Sequence, residues 1–110
     1  MAGKFELYSS PNGEYRFRLK AGNGETILGS EGYASKSGAE SGIDSVKRNA
    51  PDDGRYDRKT ATNGSHYFAL KAGNGEVIGT SEMYSSASGM EGGIASVKNS
   101  APDASTTDLT

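Results

Sequence analysis

The residues of this 110-residue chain with the clearest chemical potential are two glycine-rich loops, one histidine and a scatter of carboxylates. Gly22-Asn23-Gly24 lies within Leu19 to Glu25, LKAGNGE, and the same stretch recurs at Leu70 to Glu76. Glycine-rich loops cradle phosphate where a strand passes into a helix, because the helix N-terminus supplies aligned N–H groups. Here strand-like residues stand on both sides of each loop, and the lysine and hydroxyl of a nucleotide-triphosphate loop are missing. Asn-Gly between two such runs is a hairpin signal, since both residues tolerate the positive φ of a type I′ turn. Each loop is therefore read as a turn.

General acid–base chemistry requires carboxylates or histidine held at a pocket. The acidic residues have structural explanations instead. Glu40 and Glu91 stand three residues after Ser37 and Ser88, the spacing of a capping box, with Ser35 and Ser86 as alternative caps. Glu25 and Glu76 follow the turns, while Asp52 and Asp103 lie in Ala-Pro-Asp turns. His66 aligns with Tyr15 of the other copy and is expected to be a partly buried sheet residue. The absence of cysteine excludes disulfides, thiolate metal sites and a cysteine nucleophile. No catalytic residue, no cofactor and no metal is expected, and the chain is read as not an enzyme.

Composition narrows the classes further. A formal net charge of -2 gives no global field to gather nucleic acid or an anionic membrane. The apolar share is 33% with 16 glycines, which predicts a fold around a small core. No run approaches the length of a membrane span, and Met1 to Lys4 lacks the basic start and apolar stretch of a signal peptide. A cytoplasmic location is expected by default.

The loops recur because the chain does. FRLKAGNGETILGSEGYASKSGAESGIDSVKRNAPD, from Phe17, aligns with FALKAGNGEVIGTSEMYSSASGMEGGIASVKNSAPD, from Phe68, at an offset of about 51 residues. Within each copy, Tyr15, Phe17 and Leu19 alternate with Arg16, Arg18 and Lys20, the period of a half-buried strand, and HYFALK repeats it. ETILG and EVIGT predict a second strand after each turn. Ala39, Ile43, Val46 and Ala50, like Met90, Ile94, Val97 and Ala101, then recur at helical spacing before Pro51 and Pro102. Gly42 and Gly93 fall within those stripes, which predicts a close helix–sheet approach. Tyr33 and Tyr84 are expected to pack across the helix entries.

Phe-x-Leu-Lys-Ala-Gly-Asn-Gly-Glu, the Ser-Glu-x-Tyr-x-Ser of Ser30 to Ser35 and Ser81 to Ser86, and the helix ending Ser-Val-Lys-x-x-Ala-Pro-Asp together resemble the YegP-like family of small, uncharacterised bacterial proteins. The resemblance implies a repeated β-β-β-α-β unit with C-terminal strands exchanged into one sheet. It brings no established activity. The family often carries asparagine before the helix glycine, where this chain has Ser41 and Gly92. The expected architecture is α+β: tandem repeats forming one mainly antiparallel sheet with two helices on one face. Residues 1–110 form a single domain of two repeats, 4–53 and 55–104, and residues 105–110 close the sheet. The chain is expected to be a monomer with internal pseudo-twofold symmetry, and a chain ended at Thr60 to pair with itself in imitation.

The function expected is therefore that of a small, soluble, non-enzymatic binding or interaction module of unidentified partner, without a membrane. The alternative is binding of nucleic acid or another anion on the sheet face opposite the helices. Arg16, Arg18, Lys20, Tyr67 and Lys71 are the candidate interaction residues there. The negative net charge, and Ala69 where the first copy has Arg18, rank that alternative below a merely solvated face.

Overall fold

A computed structural model describes residues 3–110; Met1 and Ala2, the start of the segment read above for a leader, lie outside the described residues. The elements follow in the order β1 (Lys4–Ser9), β2 (Tyr15–Lys20), β3 (Thr26–Gly29), α1 (Lys36–Asn49), a 3-10 turn (Asp53–Arg55), β4 (Tyr56–Thr60), β5 (His66–Lys71), β6 (Val77–Thr80), α2 (Ala87–Ser100) and β7 (Ser105–Asp108). The seven strands form one sheet in the order β4-β5-β6-β3-β2-β1-β7. Every pairing is antiparallel except β1 with β7. Both repeats thus contribute to one sheet, and the segment after α2 crosses to the first repeat, where Lys4 to Leu7 pair with Ser105 to Asp108.

The repeats meet where Gly29 pairs with Thr80. These residues occupy equivalent positions, so a pseudo-twofold axis passes between them. It relates β1, β2 and β3 to β4, β5 and β6. β7 breaks this symmetry: the tail runs parallel to β1, on its outer edge, and among the described residues no strand takes the equivalent place beside β4. STTDLT therefore completes the sheet at the far end, as an addition to its symmetric part.

The hairpin turns are not type I′. Asn23 keeps a negative φ and only Gly24 turns positive, at 88°. Gly24 N–H donates to the Ala21 carbonyl at 2.9 Å, and Ala21 N–H donates to that of Glu25 at 2.9 Å. This is a three-residue loop closed by a glycine bulge. Asparagine serves it through its side chain, whose Oδ1 accepts from Glu25 N–H at 3.0 Å. The same arrangement recurs at Asn12-Gly13, Asn63-Gly64 and Asn74-Gly75.

The helix starts also differ from the capping-box reading. Ser35 and Ser86, extended at φ -132° and -140°, are the N-caps, and they accept from Gly38 and Gly89 N–H at 3.1 and 3.0 Å. Ser37 and Ser88 already lie inside the helices, and the residue three beyond each true cap is a glycine with no side chain to return the bond. The stripes themselves are as spaced: Ala39, Ile43, Val46, Met90, Ile94 and Val97 are buried. Each helix packs on its own repeat and reaches across the seam, α1 onto β5 and β6, α2 onto β3. One core results, centred on Phe5, Phe17, Leu19, Leu28, Phe68 and Leu70.

Gly42 and Gly93 are required by tyrosines lying between helix and sheet. A Cβ on Gly42 would sit 2.5 Å from the Tyr33 hydroxyl and 2.8 Å from Phe17 Cε2; on Gly93, 2.2 Å from the Tyr84 hydroxyl. Alanine gains about 1 kcal/mol of helix propensity at either site, against about 1 to 3 kcal/mol of overpacking. Phe17 is fully buried and cannot yield, whereas a tyrosine tip can swing outward. Gly42→Ala is therefore expected to lower the thermal midpoint more than Gly93→Ala, and Tyr84→Phe to rescue part of the latter's loss. Equal losses at both sites would contradict this packing.

Candidate interaction face

Strand alternation fixes what the face opposite the helices displays. Phe5 and Leu7 enter the core, so Lys4, Glu6 and Tyr8 point the other way, and β2 adds Arg16, Arg18 and Lys20. β4 and β5 contribute Asp57, Lys59, Tyr67, Ala69 and Lys71. The register lines one residue from each strand into a row: Thr107, Glu6, Arg18, Gly29, Thr80, Ala69 and Asp57. Its middle is made of small side chains, with Glu6 and Arg18 charged on one side and Asp57 on the other.

The five residues read from sequence do not converge on one point. Arg16, Arg18 and Lys20 stand on β2 and Tyr67 and Lys71 on β5, with β3 and β6 between them, so about 14 Å separates the two groups. They form two rims of a shallow trough. Neither rim is bare charge. Glu6, whose side chain is 10% exposed, accepts from Arg18 Nε at 2.7 Å and lies 3.3 Å from Lys20 Nζ and 3.6 Å from Lys4 Nζ. The Arg18 guanidinium also lies 4.5 Å from the centre of the Tyr8 ring. On the other rim Asp57 stands 3.3 Å from Lys71 and 3.6 Å from Lys59. Arg16 stands 3.9 Å from Glu14 and donates to the Ser30 carbonyl at 3.5 Å, and it borders an open concavity shaped by Tyr8 and Ser9 to Asn12.

Sequence reasoning missed Lys4, Glu6, Tyr8, Asp57 and Lys59. The alternation in KFELYS was available to place the first three, but their contact with β2 depends on the register of Glu6 opposite Arg18. Glu91 also has another role than expected: it accepts from Arg58 Nε at 2.5 Å, and Arg58 and Lys98 both bond Asp53, at 3.0 and 2.6 Å. This ion network ties β4 and the 3-10 turn to α2. His66 is half-buried and bridged to Tyr84 by paired main-chain bonds of 2.8 and 2.7 Å. Among the described residues no group of three or more metal-ligating side chains is gathered, and no helix is long and apolar enough to cross a membrane.

The carboxylates of these networks make stability depend on acid. The bond from Arg18 holds the Glu6 carboxyl below its usual range, and Lys98 and Arg58 do the same for Asp53 and Glu91 respectively. Lys36 on α1 bonds Asp108 on β7 and holds it at about 2, against an ordinary 3.8. A carboxyl depressed in the folded state stabilises fully above its unfolded value, and that contribution is lost as pH falls through the folded one. The urea midpoint is expected to fall between about pH 5 and about pH 2, with Asp108→Asn lacking the most acidic part of the fall. Superimposable pH curves for the two proteins would contradict the role given to Asp108.

Comparison with known proteins adds the relatives. The profile of a domain of unknown function, DUF1508, matches residues 10–57 and again 61–108. The UPF0339 protein YegP of Escherichia coli K12 is 59% identical over 98 residues, covering 89% of either chain. The UPF0339 protein in the ptx operon 5′ region of Stutzerimonas stutzeri is 54% identical over 109 residues, 99% of this chain and 98% of that one. The solution structure of E. coli YegP, described as a protein of unknown function, superposes with a TM-score of 0.95 at 55% identity, over 100% of this chain and 95% of that one. That of the UPF0339 protein SO3888 from Shewanella oneidensis gives 0.94 at 49% identity, over 100% and 93%.

Proposed function

The chain belongs to the DUF1508 family, and from that premise we propose that it is a non-catalytic binding module whose open sheet face receives an extended anion. One observation carries the reading: among the described residues Lys4, Arg16, Arg18, Lys20, Lys59 and Lys71 share that face with Glu6 and Asp57, with Glu14 at its margin beside Arg16, on a chain whose formal net charge is -2. Half of the basic residues lie on that face, while most of the carboxylates lie elsewhere. Such a distribution draws an anion to one side of the molecule and orients it on approach. Gly29, Thr80 and Ala69 keep the middle of the face low, so a chain-like anion can lie across the seam between the cationic rims. Tyr8, whose ring carries the Arg18 guanidinium, and Tyr67 place aromatic side chains beside the cations, which suits a single-stranded nucleic acid more than a bare phosphate chain.

Fluorescence titration of the full chain with single-stranded RNA, single-stranded DNA and inorganic polyphosphate, at low and at physiological salt, tests this. Binding that weakens steeply with salt is expected, because neutralised phosphates release counterions. Absence of binding at low salt with all three would overturn the proposal.

A further inference from the structure

We propose that the outer edge of β4 is a second binding site, one that takes an extended peptide segment of a partner as an eighth strand, parallel to β4. The pseudo-twofold axis relates β4 to β1, and the outer edge of β1 is occupied: β7 pairs along it in parallel, with Lys4 to Leu7 opposite Ser105 to Asp108. Leu109 N–H donates to the Leu7 carbonyl there at 2.8 Å. Arg58 is the equivalent of Leu7. On β5, His66 turns its main-chain groups toward Tyr84 and Phe68 turns its own toward Ser81, so alternate residues Tyr67 and Ala69 bond inward to Lys59 and Asp57. The main-chain groups of Arg58 and Thr60 therefore face outward, where the sheet ends. Tyr56 N–H already serves the 3-10 turn by donating to the Asp53 carbonyl. An unpaired strand edge of this kind is a template for strand addition.

The chemistry of the occupant follows from the equivalent site. Ser105 to Asp108 is rich in hydroxyls, and Asp108 lies on the helix side, where it bonds Lys36. In the second repeat Ala87 replaces Lys36, but Arg58 stands on that side in place of Leu7. Arg58 bonds Glu91 and Asp53 through Nε and Nη2. Its Nη1 makes no bond among the described residues and is left for one more acceptor. The fitting partner is thus an extended, hydroxyl-bearing segment with a carboxylate at the position that meets Arg58, not a second β4, which would set Arg58 against Arg58. Where the open face selects a polyanion by charge, this edge selects an extended backbone, so the two sites fail or succeed separately.

The probe is a synthetic peptide of the chain's own closing sequence, Ser-Thr-Thr-Asp-Leu-Thr, blocked at both ends and titrated into the 15N-labelled full chain. Amide shifts centred on Arg58 and Thr60 are expected, with exchange of those two amides slowed about tenfold at saturation. Thr60→Pro removes one outward donor without touching an inward pair and is expected to abolish the shifts while the rest of the spectrum stays dispersed. Peptide carrying lysine for aspartate is expected to bind more weakly. Shifts confined to β1 and β7, which would signal displacement of the chain's own tail, overturn the proposal. So do shifts unaffected by Thr60→Pro, or no shifts at millimolar peptide.

Discussion

Leu28→Ala is expected to lower stability by about 3 to 5 kcal/mol, as large-to-small changes at fully buried leucines do. Leu28 is 0% exposed and lies beside the pseudo-twofold axis. Its equivalent in the second repeat is Gly79, and a Cβ on Gly79 would stand 2.7 Å from Leu28 Cδ2. One leucine therefore fills the central space for both halves. Gly79→Leu is expected to destabilise by overpacking, about 1 to 3 kcal/mol or more. The reciprocal double change, Leu28→Gly with Gly79→Leu, restores a single leucine at the seam from the opposite side and is expected to recover much of the loss. Additive losses in the double variant would show that the two positions do not share one space.

Cutting the chain between Asp52 and Asp53 is expected to leave two pieces that fold only together. Each piece alone exposes the seam edge of β3 or β6 and loses the helix that reaches across from the other side. Pieces of fifty-odd residues bury too little surface to stand alone, so the loss is that of the whole fold. Self-pairing of either piece is disfavoured at the seam: two first pieces would bring two Leu28 side chains to the axis, and two second pieces would bring none. Mixed pieces should therefore form a 1:1 complex with the circular dichroism of the intact chain. A stably folded monomer from either piece would contradict the shared core.

Elements with two copies are legible in the sequence alone. The strand alternation around Phe17 and Phe68, the stripes of Ile43 and Ile94 and the exchange of the closing segment all follow from periodicity, the duplication and the family resemblance. What escaped was set by one residue's neighbours in space. The turn type hinged on asparagine using its side chain instead of its φ, and the helix caps on glycine at the third helical position. The partners of Arg18 were hidden for a similar reason: Glu6 is twelve residues away and reaches it only through the β1–β2 register. β7 was the harder case: closure of the sheet by residues 105–110 was expected, but parallel pairing with β1 places it beyond the symmetric part of the sheet.

The open face as a binding surface that spans the seam is tested most directly by mapping amide shifts as inorganic polyphosphate is titrated into the 15N-labelled full chain. The predicted result is one contiguous set of shifts along Arg18, Gly29, Thr80 and Ala69, crossing from the first repeat to the second. Shifts confined to one repeat or to the helices, or none at low salt, would contradict it.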